Sequence, residues 1–156
     1  MHTVFLALGS NVGNKKENIK RAVSALEKKV KKIQIAKLYE TKPMYFENQD
    51  MFINTVIKGQ TQLSPTELLA FVKLLESDLG RQKRFTNGPR EIDIDILFYD
   101  NLIYQTTKLQ IPHPRMAERN FVLQPLVDLN PNIIHPSLHK TAQKLLDELK
   151  GGALHC

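Results

Sequence analysis

The stretch GPREIDIDILFY, residues 88–99, decides how we interpret the rest of the chain. Isoleucine occupies every second position from 92 to 96, with Asp93 and Asp95 between, and this period of two predicts a β-strand with both aspartates on one face. We expect that face to continue with Leu97 and Tyr99. It would then become apolar beyond the carboxylates, unlike a strand face that only meets water.

A helix signature precedes this strand. Ser64 and Glu67 match a capping box, Pro65 takes the first helical position, and Gly80 stands where the helix should end. The other predicted elements are strands over residues 3–8, 33–39 and 52–58, and a helix whose apolar positions are Ile19, Ala22, Val23, Leu26 and Val30.

The order strand, helix, strand, strand, helix, strand predicts an α+β fold, a ferredoxin-like βαββαβ sandwich with an antiparallel sheet. After it we expect an extra C-terminal hairpin that turns at residues 100–101 toward residues 102–103. Helices near residues 116–129 and 142–149 would then decorate the core.

Composition predicts one globular domain. The chain has 156 residues, 42% apolar and 24% charged, which is enough to bury a core. We expect a single domain over residues 1–150 and a flexible tail over 151–156, detached by two glycines. No stretch approaches the roughly 20 apolar residues of a membrane helix, and no signal peptide is recognisable. With Cys156 as the only cysteine, a reducing, cytoplasmic setting fits, and we expect a monomer.

Two aspartates about 7 Å apart on one strand face need a positive charge beside them. A divalent cation supplies it, and Mg²⁺ uses one or two carboxylates with waters and phosphate oxygens completing its shell. The net charge is 22 − 16 = +6. Arginine holds phosphate oxygens bidentately, so cations on both sides of the pair predict a bound polyphosphate. Those cations are Arg81, Lys83, Arg84, Arg90, His113, Arg115 and Arg119.

Several familiar sites are excluded. Residues 9–15 contain two glycines and a lysine, but neither the P-loop spacing nor G-x-G-x-x-G is met. This loop is more simply a turn before a helix, with Gly9 approaching a ligand closely. His113 stands between two prolines, where a turn residue and a ligand are equally good interpretations. The other histidines have no zinc-ligand spacing and are expected at the surface: His2, His135, His139 and His155.

The basic charge and the carboxylate pair leave two possible functions to weigh. An RNA-binding module would suit a basic ferredoxin-like sheet, but it needs exposed aromatic residues along the central strands, and no such run exists. We therefore expect no nucleic-acid partner. A two-metal nuclease also uses paired carboxylates with basic residues.

The sequence resembles the 6-hydroxymethyl-7,8-dihydropterin pyrophosphokinases of folate biosynthesis. Their hallmark G-P-R-x-x-D-x-D-I-L matches residues 88–97. Further matches cover nearly the whole chain: L-G-S-N at 8–11, Y-E-T-x-P at 39–43, F-x-N at 52–54, Glu76 and G-R at 80–81, P-H-P-R-M at 112–116 and R-N-F-V-L at 119–123. The resemblance implies pyrophosphate transfer from ATP to the pterin hydroxymethyl group, with AMP released and two Mg²⁺ ions required.

The resemblance also implies roles for single residues. Asp93 and Asp95 are similar to the ligands of both metal ions, and Arg81 and Arg90 to the catalytic arginines. ATP contacts are implied for Glu76, Arg81, Lys83, Arg90, Ile96, Lys108, His113 and Arg119. Pterin contacts are implied for Thr41, Met44, Phe52, Asn54 and Phe121, with the two phenylalanine rings on either side of the bicycle. For an isolated phenylalanine, a place in the core is the alternative.

Loops over residues 41–50 and 81–87 are expected, on the same resemblance, to close over ATP and exclude water. The chain departs from the family here, because Thr86 and Asn87 stand where arginine and tryptophan usually precede Gly-Pro-Arg, in a loop one residue shorter. We expect weaker closure over the pterin, unless Phe85 substitutes for the tryptophan. Lys83 and Lys108, where arginine is common, would hold phosphate with less defined geometry.

Overall fold

The structure is a computed structural model that describes residues 1–42, 49–81 and 88–151. Its elements in chain order are β1 (His2–Ser10), α1 (Lys15–Leu26), β2 (Val30–Ile35), β3 (Tyr39–Thr41), β4 (Phe52–Thr61), α2 (Pro65–Asp78), β5 (Asp93–Tyr99), β6 (Tyr104–Gln105), β7 (Gln110–Ile111), a 3₁₀ helix (Met116–Glu118), α3 (Asn120–Leu129) and α4 (Ala142–Gly151). Within these ranges, none of the helices combines the length and apolar character needed to cross a bilayer.

The main sheet has the strand order β2-β4-β1-β5, and β3 pairs with β4 farther along that strand. Every one of these pairs is antiparallel. Since β1 and β2 are separated by β4, the chain between them forms a split βαβ unit. The predicted α+β, ferredoxin-like arrangement is confirmed.

The first core lies between the sheet and the helices α1 and α2. Both helices begin where the sequence provides a cap: Asn14 accepts the N–H of Glu17, and Ser64 and Glu67 form the predicted capping box. Three alternate residues of β1, Val4, Leu6 and Leu8, face these helices and are buried. The main members of this core are Val4, Leu6, Leu8, Ile19, Leu26, Leu68, Val72 and Ile94.

A second core covers the opposite face of the sheet. The 3₁₀ helix, α3 and α4 pack there against β1, β4 and β5, so this sheet is buried on both faces. Its main members are Phe5, Val56, Leu97, Phe98, Met116, Leu123, Leu126 and Leu146. The expectation that residues after Tyr99 only decorate the core is therefore wrong, because they supply the third layer.

The face predicted for Tyr99 is also wrong. The pairing of β1 with β5 shifts between Phe5 and Leu6, because Phe5 pairs with Phe98 and Leu6 with Ile96. Leu97 is the extra residue of a β-bulge, which reverses the alternation beyond it. Tyr99 consequently packs in the first core, where its hydroxyl donates to the carbonyl of Leu63 at 2.6 Å.

Other element boundaries differ from the prediction. The strand predicted over residues 33–39 is two strands, β2 and β3, and Val30 begins β2 and does not extend α1. The predicted hairpin is displaced, since residues 100–101 form a turn but the paired strands are β6 and β7. Helix α4 includes Gly151, and residues 152–156 lie outside the described residues.

One of the four histidines expected at the surface is buried. The Nδ1 atom of His135 accepts the backbone N–H groups of Ser137 and Leu138 at 3.2 and 3.1 Å. Its ring meets Phe98 edge to face, 5.7 Å between centroids. His135 therefore stabilises the loop before α4. His2 and His139 are exposed, and His155 lies outside the described residues.

Candidate active site

A cleft of about 650 Å³, partly open to solvent, lies where one end of the sheet meets the start of α3. Strand register brings Asp93, Gly9 and Asn54 into one row across β5, β1 and β4. We call this space the first cleft. It brings together eight residues predicted from the sequence: Thr41, Phe52, Asn54, Arg90, Asp93, Asp95, Arg119 and Phe121.

Asn54 sets the polar floor of the first cleft. Its side chain is buried, and Nδ2 donates to Thr41 Oγ1 at 2.6 Å. A Cβ atom on Gly9 would lie 2.7 Å from Asn54 Oδ1, so only glycine leaves room for this amide. Gly9 also lines the first cleft, and its close approach to a ligand stays a prediction.

Two aromatic rings line the same cleft. Phe52 is nearly buried at the start of β4, and Phe121 is half-buried in the first turn of α3. The guanidinium of Arg90 lies 4.9 Å from the centroid of Phe52, and that of Arg119 lies 5.7 Å from the centroid of Phe121. Both distances are within cation–π range. The site thus offers flat apolar surfaces next to positive charge.

Asp93 is surrounded by arginines. Its Oδ1 lies 3.1 Å from Arg81 Nη1, and its Oδ2 lies 3.7 Å from Arg90 Nη1. The Nε atom of Arg90 is buried and has no hydrogen-bond partner among the described residues. Arg90 thus contacts Asp93 and Phe52 through the outer part of its guanidinium, while Nε is shielded from the cleft.

Asp95 lies at the junction of two clefts, because it lines both the first cleft and a second one on the far side of β5. Burial, and then the charge of Asp93, raises the pKa of Asp95 to about 7, while Arg119 and Lys73 oppose the shift. Placing two carboxylates this close is costly without added positive charge. The raised pKa of Asp95 agrees with the expected repulsion within the pair, and a metal ion beside it stays a prediction.

The second cleft, also of about 650 Å³, lies against the open edge of β5. It contains the predicted residues Ile96, Lys108 and His113. Lys73 of α2 lines it as well, and the sequence analysis did not identify this residue. Its position could have been inferred from helical spacing, since Lys73 lies one turn after Leu69 and both residues face the cleft.

His113 presents a defined hydrogen-bond donor. Its Nδ1 accepts the backbone N–H of Arg115 at 3.2 Å, which leaves the proton of the neutral ring on Nε2. Burial, and then the charge of Arg119, lowers the pKa of His113 to about 4. The ring is therefore neutral at pH 7 and can donate from Nε2. Of the two interpretations of His113, its place in the second cleft favours the ligand.

Asn11 was noted in a motif but not identified as a site residue. It is 2% exposed, and its Nδ2 donates to Gln49 Oε1 and the carbonyl of Asp50 at 2.7 and 3.1 Å. Its Oδ1 accepts the N–H of Arg90 at 2.8 Å. Asn11 thus joins the chain before β4 to the chain before β5, two segments that flank the first cleft.

The remaining predicted residues divide into two groups. Glu76 is buried on α2, and neither Glu76 nor Arg81 lines a cleft, although Arg81 contacts Asp93 of the first cleft. Met44, Lys83 and Arg84 lie outside the described residues, as do Phe85, Thr86 and Asn87.

The carboxylates of Asp93 and Asp95 suit a hard cation that also coordinates oxygen atoms of a ligand. Among the described residues, no group of three or more His, Cys, Asp or Glu side chains is arranged to hold a metal ion. Two carboxylates with a raised pKa at Asp95 do suit Mg²⁺, which takes few protein ligands and completes its octahedron with phosphate oxygens and water. Zinc is not suited, since its usual nitrogen and sulfur ligands are missing from this pair.

A carboxylate pair whose member Asp95 borders two adjoining clefts, with arginines beside Asp93, fits an enzyme of the phosphoryl-transfer type. The profile of the family described as 7,8-dihydro-6-hydroxymethylpterin-pyrophosphokinase (HPPK) matches residues 5–131. The chain belongs to this family, the pterin pyrophosphokinases of folate biosynthesis.

Individual relatives agree with that assignment. The 2-amino-4-hydroxy-6-hydroxymethyldihydropteridine pyrophosphokinase of Aquifex aeolicus is 44% identical over 95% of this chain and 92% of its own length. The folic acid synthesis protein FOL1 of Dictyostelium discoideum is 48% identical over 97% of this chain, but the chain spans only 23% of that protein.

A solved structure supports the fold. The crystal structure of wild-type Plasmodium falciparum HPPK-DHPS superposes with a TM-score of 0.74, over 94% of this chain and 44% of the other. Identity is 18%, so this likeness concerns the fold alone.

Proposed function

We propose that the chain transfers pyrophosphate from ATP to the hydroxymethyl oxygen of 6-hydroxymethyl-7,8-dihydropterin, giving the pterin diphosphate and AMP. In this step a bond forms between the hydroxymethyl oxygen and the β-phosphorus. The bond from the β-phosphorus to the oxygen bridging it to the α-phosphorus breaks, and AMP leaves with that oxygen. The hydroxyl proton passes to solvent. The observation that carries the proposal is the shared position of Asp95, which borders both clefts.

The first cleft suits the pterin. Phe52 and Phe121 offer flat surfaces for the bicycle, and Asn54 with Thr41 offers an amide and a hydroxyl for its polar edge. A buried polar group that pairs with the ligand discriminates strongly against analogues without the matching atoms. Met44 is proposed as a further contact on the resemblance alone.

The second cleft suits the nucleotide. Ile94 donates its N–H away from β1, to Glu76, so alternation along β5 directs the backbone of Ile96 to the same open edge. An adenine can be recognised there by N–H and C=O groups. Lys73, Lys108 and His113 supply donors for phosphate or ribose oxygens, and Arg119 adds a charge from the first cleft. Lys83 is proposed as one more phosphate contact.

Asp93 and Asp95 would hold two Mg²⁺ ions. Bound there, the ions neutralise charge on the phosphoryl groups and lower the pKa of the acceptor hydroxyl. Arg81 and Arg90 orient and neutralise the transferring group and the leaving AMP. Action as a monomer in the cytoplasm remains part of the proposal.

An assay of AMP release tests the proposal. With authentic dihydropterin, ATP and Mg²⁺, we expect AMP to accumulate, and omission of any one of the three should abolish it. AMP formation without pterin, or cleavage of RNA by the same preparation, would instead favour a nuclease or an RNA-binding protein.

A further inference from the structure

We propose that Glu76 is a positioning residue, which holds Arg81 and the open edge of β5 in place and does not contact ATP. The inference rests on the proposed function, because the role of Arg81 in pyrophosphate transfer belongs to that proposal. The resemblance implied a direct nucleotide contact for Glu76. Neither Glu76 nor Arg81 lines a cleft, but the side chain of Glu76 is only 5% exposed on α2, whereas that of Arg81 is 29% exposed.

Both carboxylate oxygens of Glu76 already have donors. Oε2 accepts the N–H of Ile94 at 2.8 Å and lies 2.9 Å from Arg81 Nη1. Oε1 lies 3.3 Å from Lys73 Nζ. A buried carboxylate offers a nucleotide phosphate only repulsion, since both carry negative charge. Glu76 therefore fits behind the cations of the second cleft and not among the groups that contact the ligand.

The backbone of Glu76 holds Arg81 as well. Gly80 adopts φ = 93°, its N–H donates to the carbonyl of Ser77 at 3.1 Å, and the N–H of Arg81 donates to the carbonyl of Glu76 at 3.0 Å. This is the hydrogen-bond pattern of a Schellman cap. The cap returns Arg81 over the last turn of α2, where its guanidinium meets the carboxylate of Glu76. One residue thus fixes both the backbone and the side chain of Arg81.

These contacts connect α2 to the reacting groups. Arg81 Nη1 lies 3.1 Å from Asp93 Oδ1, and Ile94, held by Glu76, stands between the two aspartates on β5. Glu76 therefore sets where a catalytic guanidinium and the carboxylate pair stand relative to each other. Small errors in such placement reduce the rate of the chemical step more than substrate affinity.

Glu76→Gln tests this role, because glutamine keeps the size and can still accept from Ile94 but lacks the charge that holds Arg81. We expect kcat to fall about 10- to 100-fold while KM for ATP stays within about threefold. Asp78→Asn is the matched control, since it removes an exposed carboxylate from the same helix and should leave both constants unchanged. A tenfold rise in KM for ATP at unchanged kcat would instead show a direct contact.

A double-mutant cycle tests whether the effect passes through Arg81. If it does, Glu76→Gln combined with Arg81→Ala should be no more than about twofold slower than Arg81→Ala alone. Losses that multiply would overturn the inference, because they would mean that Glu76 acts by another route.

A measurement on the ligand-free protein separates this inference from the proposed function. The guanidinium ¹⁵N–¹H signals of Arg81, assigned by their loss in Arg81→Ala, should be protected from exchange in the wild type and in Asp78→Asn. Glu76→Gln should reduce that protection, with only the contact to Asp93 left to hold the guanidinium. Equal protection in Glu76→Gln would overturn the positioning role. Absence of AMP release from the wild type would refute the proposed function, and the exchange result would still decide the role of Glu76.

Discussion

Among single residues, Asp95 gives the clearest pH-dependent prediction. Its pKa is about 7 in the folded chain, raised first by burial and then by Asp93, and ordinary in the unfolded chain. The folded state therefore binds more protons between about pH 4 and 7, and metal-free stability should fall as pH rises through that window. Asp95→Asn should remove this loss, so the variant should melt higher than the wild type at pH 8 and equally at pH 4.

Thermal melting in chelator-containing buffer measures this difference, with Asp78→Asn as the control of equal charge change. Turnover of Asp95→Asn should be nearly abolished, because the proposed metal site loses a ligand. A variant with a near-normal rate would contradict the metal assignment. A melting temperature below that of the wild type at pH 8 would contradict the burial argument.

His113 gives a second prediction at this scale. With a pKa of about 4 it stays neutral, and Nδ1 is occupied by the N–H of Arg115, so only Nε2–H is available to a ligand. Glutamine places an N–H near that position, whereas alanine removes it. His113→Gln should therefore raise KM for ATP less than His113→Ala does. Neither wild-type kcat nor kcat/KM should show a His113 titration above pH 5. Equal effects of the two variants would contradict a donor role.

Site residues could be predicted from the sequence where the residue type is unusual for its element. They could not be predicted where the role depends on a contact with a residue far away in the chain. Asp93 and Asp95 were recognisable because acidic residues interrupt a strand at a period of two. Asn11 and Glu76 gave no comparable signal. Their partners lie 79 and 18 residues away in the chain, at Arg90 and Ile94, and only folding brings them together.

At the scale of elements, two glycines make matched variants. A Cβ on Gly9 of β1 would lie 2.7 Å from Asn54 Oδ1, and one on Gly59 of β4 would lie 2.4 Å from Cγ1 of buried Val30. The added Cβ atom would clash with a neighbouring side chain at both positions, but only at Gly9 does that side chain belong to the first cleft. Gly9→Ala should raise KM for the pterin about tenfold with little change for ATP.

Gly59→Ala should affect stability and not substrate affinity. It should lower stability by about 1–3 kcal/mol, since β2 must move away from β4, and leave both KM values near those of the wild type. Steady-state kinetics and urea unfolding of the two variants check this. An equal loss of pterin affinity in Gly59→Ala would mean that the effect of Gly9→Ala arises from general strain in the sheet.

Helices and strands were predicted correctly where the residues that determine them are close together in the sequence. Helix α2 was predicted well because its capping box, apolar spacing and terminal glycine are within 17 residues. The division into β2 and β3 was missed, since both strands pair with different parts of β4 and the break depends on that register. The bulge at Leu97 was missed for the same reason, because it is defined by the pairing with β1.

For the whole molecule, the charge surplus is not at the clefts. Residues 15–37 contain nine Lys or Arg and two Asp or Glu, so this segment carries 9 − 2 = +7, while the entire chain carries +6. No residue lining either cleft comes from this segment. Lysines along β2, the terminal strand of the sheet, disfavour pairing with other sheets. The net charge therefore says less about the ligand than the few cations placed around Asp93 and Asp95.

The two cores share one sheet, which leads to the last prediction. Leu26 lies in the core under α1 and Leu146 in the core under α4, and both side chains are fully buried. Because β1 contributes alternate residues to both cores, neither core can open without exposing the other. Leu26→Ala and Leu146→Ala should each cost about 2–5 kcal/mol, and each variant should still unfold in one transition. Coincident urea transitions by fluorescence and circular dichroism would support the predicted single domain. Two separated transitions in Leu146→Ala would mean that the C-terminal layer folds independently of the sheet.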